Sequence, residues 1–430
     1  MKNKKQIDII TMGCSKNLVD SEILLNLFKE NGYSIHHDPE TVSGGAVIVN
    51  TCGFIGDAKE ESINMILQLA EAKQEGKIEK LFVMGCLSQR YNDELIEEIP
   101  EIDGVYGKFD WRGVVKELSA DNIMVEDKRV VTTPNHYAYI KISEGCNRAC
   151  AYCAIPIITG KHISRPMEEI INEVKDLVSQ GVKEFQIIAQ DLSYYGIDLY
   201  KENRLAQLVE ALSDIKGVEW IRLHYAYPTK FPYDLLPVMR ERDNVCKYLD
   251  IALQHISDPM LKGMKRGITK EKTIALLERI RKEVPGIFLR TTMMVGFPNE
   301  SDEDFEELCD FVESTKFERL GVFPYSEEGG TSAAKDFEDN ISEEIKEQRT
   351  AQLMMKQENV AIEVASSLVN TTQKVIIDRA EGDYYVGRTQ YDSPEVDPEV
   401  MIYTDQKLNI GNFYDVKITD TEDFDLVGTL

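Results

Sequence analysis

The chain of 430 residues carries 49 Lys plus Arg against 75 Asp plus Glu, a formal net charge of −26, with 43% hydrophobic and 8% aromatic residues. That length and apolar content supply several packed cores, and the negative balance excludes a surface that broadly neutralises nucleic-acid phosphates. No run of about 18 or more uncharged apolar residues is present for a membrane helix, and the apolar stretch after the basic start "MKNKK" is too short for a signal segment, so a cytoplasmic protein is expected.

From the N-terminus, "QIDIITMGC", "GGAVIVNTCG" and "EKLFVMGC" are short β-branched runs that lead into Cys14, Cys52 and Cys86. Between them lie the helical patterns "VDSEILLNLFKENG" and "DAKEESINMILQLAEAKQEG". The alternation predicts an open parallel α/β sheet, and in such a sheet the loops at the strand carboxyl ends meet along one edge. The three cysteines are therefore expected to converge although they lie far apart in sequence. The stretch "DNIMVEDKRVVTTPNH" reads as a connector.

A second series follows. "YAYIKIS", "EFQIIAQD", "EWIRLHYAYP", "KYLDIALQH", "IFLRTTMMVGFP" and "RLGVFPYS" read as strands, separated by helical segments such as "MEEIINEVKDLVSQG" and "DEDFEELCDFVEST". Six β/α repeats predict a central partial (β/α)6 barrel with its chemistry at the strand carboxyl ends. The loop after the first of these strands reads "SEGCNRACAYCAIP", which puts Cys146, Cys150 and Cys153 in a CxxxCxxC spacing. Eight cysteines without a secretory signal read as metal ligands and core thiols. Three thiolates leave one position on the bound metal group open, the arrangement that separates catalytic from structural sites. Zinc with His162 as fourth ligand is the alternative. Cys246 and Cys309 sit inside strand and helix patterns and read as core.

The long helical segment "SEEIKEQRTAQLMMKQENVAIEVASSLV" precedes a region that alternates apolar and polar residues between turns, as a small antiparallel β-barrel does. From Lys374 onward this region holds five basic against thirteen acidic side chains, a balance of −8. Domains are expected at 1–125, 132–363 and 366–430.

The CxxxCxxC spacing with Tyr152 before its last cysteine, at the end of a first barrel strand, resembles the radical S-adenosylmethionine superfamily. That resemblance implies a [4Fe-4S] cluster on Cys146, Cys150 and Cys153 whose open iron chelates S-adenosyl-L-methionine. An electron donor of the reductase or flavodoxin type then supplies one electron, and the 5'-deoxyadenosyl radical so released takes hydrogen from an unactivated carbon. "MGCSKNLVDSE", "NTCGFIGDAKEES" and "MGCLSQRY" resemble the N-terminal module of the methylthiotransferase family. This implies a second [4Fe-4S] cluster on Cys14, Cys52 and Cys86, carrying the sulfur to be inserted.

Within that family, "GCSKNLVDSE", "QDLSYYG" and "TCGFI" resemble the branch that modifies the β-carbon of an aspartate in ribosomal small-subunit protein twelve. The C-terminal region resembles a TRAM domain, and its acidity is expected to repel RNA and attract a basic ribosomal protein. A tRNA adenosine methylthiotransferase is the alternative, and a two-cluster electron carrier a more distant one. By position at strand ends, Gln190 and Asp191, and Gly296 with Pro298, are candidates to line the cofactor cleft. Gln254 and His255 occupy a similar place.

Overall fold

The computed structural model describes residues 6–42, 45–118 and 128–430. The chain divides into two compact units. One comprises Met1–Thr133 with Gly145–Asn147 and Ala154–Lys161, the other Pro134–Glu144, Arg148–Cys153 and His162–Leu430. The basic start, the first glycine of "GGAVIVNTCG", residues 121–127 of the connector and the domain boundary expected at 125 lie outside the described residues.

In the first unit β1 (Gln6–Thr11), β2 (Ser34–His37), β3 (Ala46–Thr51), β4 (Lys80–Gly85) and β5 (Gly104–Val105) form a parallel sheet in the order β2-β1-β3-β4-β5. The central β3, "AVIVNT", is buried along its whole length, as a parallel strand covered on both faces must be. Successive side chains point to opposite faces. Val47 and Val49 accordingly pack with Ile66, Leu69 and Ala70 of the helix Gly56–Gln74, while Ala46 and Ile48 pack with Leu24, Leu27 and Phe28 of the helix Ser15–Glu30.

The second unit holds six parallel strands in chain order: β6 (Tyr137–Lys141), β9 (Glu184–Ile188), β10 (Trp220–Ala226), β11 (Val245–Ile251), β12 (Phe288–Val295) and β13 (Arg319–Pro324). A short antiparallel pair, β7 (Ser143–Glu144) and β8 (Ile163–Ser164), follows β6. The helix Glu343–Ser367 spans the expected boundary at 363–366, and its Ala365 joins the core of the C-terminal barrel.

That barrel closes in the order β14 (Thr372–Glu381), β15 (Tyr384–Thr389), β16 (Val400–Tyr403), β18 (Asp425–Thr429) and β17 (Phe413–Glu422). Its pairings are antiparallel except that β16 and β18 run parallel, so the barrel is mixed where an antiparallel one was expected. The hairpin from β17 sets the direction of β18, and closure then seats β18 beside a strand of the same sense. Among the described residues no helix is long and apolar enough to cross a membrane.

The barrel is fastened to the amino ends of the central strands by buried charge. Glu184, at the start of β9, is fully buried and accepts from Arg222 at 3.1 Å and Arg388 at 2.8 Å. Arg388 also donates to Asp378 at 2.7 Å, and Asp378 bonds His136 at 2.7 Å. Arg319 pairs with Asp392, Tyr248 donates to Asp397 at 2.8 Å, and Trp220 meets Phe413 edge-on at 4.8 Å between ring centroids. Burial works against ionisation of Glu184 and Asp378, but the Arg388 guanidinium, joined at Glu184 by Arg222, outweighs it and holds both below the usual carboxylate range.

Several of the acids that made the C-terminal balance negative are therefore consumed inside the unit. The exposed ones are Asp383, Glu395, Asp405, Asp415, Asp420, Glu422 and Asp423, and of these Glu395 accepts from Tyr137 at 3.0 Å.

Removing one partner from this network leaves buried charge uncompensated. Arg388→Met is expected to lower stability by about 3–5 kcal/mol, read as a fall in the urea midpoint followed through Trp220 fluorescence; an unchanged midpoint would show that the network does not sustain the fold. Because both carboxylates are depressed, their contribution is complete above the ordinary carboxyl range of about 4. It is lost as the pH falls through the folded values.

Candidate functional site

β1, β3 and β4 are consecutive neighbours in the first sheet, roughly 4.8 Å apart strand to strand. Each is followed within three residues by a cysteine: Cys14, Cys52 and Cys86. The glycines beside them explain how the loops fit. Gly13 has φ +88°, and a Cβ there would stand 2.6 Å from Cys52 Cβ; Gly85 has φ +108°, with the Thr51 carbonyl 2.5 Å from any added Cβ.

Asn17 ties the three loops together. Its amide donates to the carbonyls of Met12 and Thr51 at 3.0 Å each, and its carbonyl oxygen receives the Cys86 thiol at 3.6 Å. Asn17 is itself held by Asn50, which donates to its backbone carbonyl at 2.8 Å. The buried Lys108 places Nζ 3.8 Å from Cys86 Sγ and 3.6 Å from Asp20 Oδ2.

The three thiols differ. Burial pushes Cys86 up to about 12 and also raises Cys52. Burial opposes ionisation of Cys14 as well, yet the Lys16 and Lys108 ammoniums and the N–H groups of Asn17 and Lys16 together carry its pKa below the ordinary thiol value. Cys14 reaches solvent, which weakens the opposing contribution of burial, so the lowering stands.

The CxxxCxxC loop is shared between the units. Cys146, whose N–H donates to the Gly160 carbonyl at 3.2 Å, belongs with the first. Cys150 and Cys153 belong with the second, where the Cys153 N–H donates to the Cys150 carbonyl at 3.2 Å. Around Cys150, Tyr227 Oη lies 3.3 Å and an Arg266 guanidinium nitrogen 3.2 Å from Sγ. Arg148 and Arg266 each place their guanidinium 4.2 Å from the Tyr227 ring centroid.

Asp191 accepts from Arg148 at 2.7 Å and from Ser193 at 2.5 Å, so this strand-end carboxylate orients an arginine of the cysteine loop. The Gln190 amide donates to Glu144. Gly296 has φ +70°, its N–H donates to Glu300 at 2.7 Å, and a Cβ there would lie 2.3 Å from Lys346 Cγ. Close approach at this glycine is thus made by a lysine of the long helix. Pro298 is buried in the same turn, and Glu300 bonds His255 at 3.1 Å and also pairs with Arg349. His162 bonds Ser164 at 3.0 Å. Cys246 and Cys309 are buried, and burial pushes their thiols up to about 12 and 11.

None of the eight cysteines is in a disulfide. Soft thiolates suit iron-sulfur ligation, and Lys16, Lys108, Arg148 and Arg266 offset the negative charge that such a group brings, so the residues fit clusters. Among the described residues no three His, Cys, Asp or Glu side chains crowd closely enough to hold a single metal ion, whereas a cluster puts each thiolate on its own iron. Sequence reasoning missed Arg266, Tyr227 and Lys108. They lie 116, 77 and 22 residues from the cysteines they approach, with no motif to mark them.

Comparison with known proteins matches residues 6–107 to Uncharacterized protein family UPF0004, residues 140–312 to the Radical SAM superfamily and residues 369–430 to the TRAM domain. The chain is similar to the Ribosomal protein uS12 methylthiotransferase RimO of Parabacteroides distasonis, 61% identical over 99% of both chains. It is similar to the protein of the same name from Bacteroides thetaiotaomicron, 61% identical over 98% of each, and from Cytophaga hutchinsonii, 49% identical over 99% of this chain and 98% of that one. Among solved structures, the radical S-adenosylmethionine methyltransferase TsrM from Kitasatospora setae has a TM-score of 0.54 at 12% identity, covering 88% of this chain and 78% of that one. The cobalamin-dependent S-adenosylmethionine radical enzyme OxsB has a TM-score of 0.53 at 14% identity, covering 83% and 56%. These two likenesses concern the fold alone.

The order of thiol acidities is directly measurable in iron-free protein. A lowered pKa makes thiolate at lower pH, so Cys14 is expected to be alkylated by iodoacetamide at a pH below the ordinary thiol value while Cys52 and Cys86 stay unmodified. Peptide mass mapping that found Cys86 labelled first would contradict this electrostatic account.

Proposed function

The chain belongs to the ribosomal protein uS12 methylthiotransferase family, and from that premise we propose that it inserts a methylthio group at the β-carbon of an aspartate of that ribosomal protein. It is a radical S-adenosylmethionine enzyme, and membership in that superfamily implies S-adenosyl-L-methionine and a [4Fe-4S] cluster. The observation that carries the finer reading is the convergence of Cys14, Cys52 and Cys86 on three adjacent strand ends, separate in sequence from the CxxxCxxC loop.

In this reading Cys146, Cys150 and Cys153 ligate the radical-generating cluster, and Cys14, Cys52 and Cys86 ligate a second. When bound, these groups and S-adenosylmethionine supply a carbon-centred radical that takes hydrogen from an unactivated carbon, together with the sulfur that replaces it. Asn17 holds the second set of thiols in place, and the Lys108 ammonium offsets anionic charge there. Arg148, oriented by Asp191, brings a cation to the first set's loop. Gln190, Asp191, Gly296 and Pro298, which follow strand carboxyl ends, would line the cleft that takes S-adenosylmethionine. The exposed acids of the C-terminal barrel attract a basic protein, raising its association rate, and disfavour RNA phosphates. A reductase or flavodoxin-type protein in the cytoplasm donates the electron. The chain divides functionally into 1–125 for the second cluster, 132–363 for the radical core and 366–430 for docking.

Anaerobically reconstituted protein, given S-adenosylmethionine, a reductant, ribosomal protein uS12 and unmodified tRNA together, is expected to yield a methylthio adduct on a protein aspartate by mass spectrometry. An adduct on adenosine would overturn the acceptor. Cys14→Ala, Cys52→Ala or Cys86→Ala should preserve S-adenosylmethionine cleavage and abolish sulfur insertion, whereas Cys146→Ala, Cys150→Ala or Cys153→Ala should abolish both. Continued methylthiolation by any of the first three variants would refute the assigned roles.

A further inference from the structure

Arg266 sits in the loop after the helix Asp258–Gly263 with 3% of its surface exposed. A guanidinium buried this deeply is ordinarily neutralised by a carboxylate. Among the described residues none pairs with it. One of its nitrogens instead lies 3.2 Å from Cys150 Sγ and 3.1 Å from Tyr152 Oη, and the other donates to the Ala252 carbonyl just after β11. Of these three acceptors only the Cys150 sulfur belongs to the CxxxCxxC set.

The contact is held from several sides. The Tyr227 ring stacks on the guanidinium, the Tyr227 hydroxyl donates to Arg266's own carbonyl at 3.0 Å, and Thr229 donates to that carbonyl at 2.9 Å. The Ala151 N–H, one residue past Cys150, donates to the Met264 carbonyl at 2.9 Å, which locks the two loops in register. Tyr227 Oη also reaches Cys150 Sγ, but its single proton is divided between sulfur and carbonyl. The arginine cannot be deprotonated in a protein and is the fixed donor.

We propose that Arg266 is a positioning residue that sets the reduction potential of the cluster held by Cys150. The proposal rests on the reading of Cys146, Cys150 and Cys153 as cluster ligands. Reduction brings one electron from an external one-electron donor and adds one negative charge to the iron, sulfide and thiolate assembly. No bond forms or breaks, and the guanidinium keeps its protons. A fixed cation donating to a ligand sulfur stabilises the more negative state, since hydrogen bonds to the sulfurs and local charge set such potentials. Arg266 therefore raises the potential and eases entry of the electron. A lysine would keep the charge without the planar fork that serves the sulfur, Tyr152 and Ala252 together.

The test uses the full chain with Cys14, Cys52 and Cys86 all replaced by Ala, so that one cluster contributes to the signal. Iron content and an EPR-monitored redox titration are measured for this parent, for Arg266→Gln and for Arg266→Lys. The parent is expected to hold about four irons. Arg266→Gln should keep the iron while its reduced state is disfavoured about tenfold, a potential lower by ~59 mV for a one-electron couple, with Arg266→Lys between the two.

A parent without a cluster, or one whose cluster survives Cys150→Ala unchanged, would refute the ligand reading itself. A parent with its cluster and an Arg266→Gln variant at the same potential would leave that reading standing and overturn the role of Arg266. If Arg266→Gln loses its iron, Arg266→Lys decides. A potential below the parent's supports the proposal, and an unshifted one or a second loss of iron reduces Arg266 to a brace for the loop.

Discussion

Parallel strand pairing is the constraint from which the rest of this architecture follows. Parallel neighbours need a crossover connection, so every strand carboxyl end in a sheet opens to the same edge. In the first sheet this rule puts Cys14, Cys52 and Cys86 side by side, because β1, β3 and β4 are neighbours. In the second it puts the loop after β6 on the same edge as Asp191 and Gly296, while the amino ends are left for the C-terminal barrel. One edge is available for chemistry and the other for fastening.

The two cysteine sets are surrounded by different kinds of cation. Near Cys14 and Cys86 the positive charge comes from lysines, compact point charges whose influence is felt through space and falls unequally on the three thiols. Near Cys150 it comes from a guanidinium that donates directly to sulfur while bonded to a tyrosine and a backbone carbonyl.

The C-terminal barrel illustrates how a net charge can mislead about a surface. Its balance of −8 includes Asp378 and Asp392, whose carboxylates bond Arg388 and Arg319 inside the second unit. They hold the barrel to the central sheet and contribute little to an external field. The charge left on the barrel's exterior comes from the smaller set of exposed acids, among them Asp405, Asp415, Asp420, Glu422 and Asp423.

Much of this protein was legible in its sequence. Hydrophobic periodicity and turn residues are local properties, so the alternating elements, the six strands in chain order and the cysteines at strand ends could be read directly. The resemblance carried by CxxxCxxC and by the three N-terminal cysteine motifs led to the family that the relatives show. Tertiary structure alone decided which charges are spent. It brought Arg266 to Cys150 across 116 residues, Lys108 to Cys86, Lys346 onto Gly296 and Arg388 between Glu184 and Asp378. It also set the parallel sense of β16 and β18. The physical reason is that a side chain's charge is written in the sequence, but its partner is chosen by burial. An unpaired charge is costly there, and the order of residues along the chain does not say which ones folding will bring together.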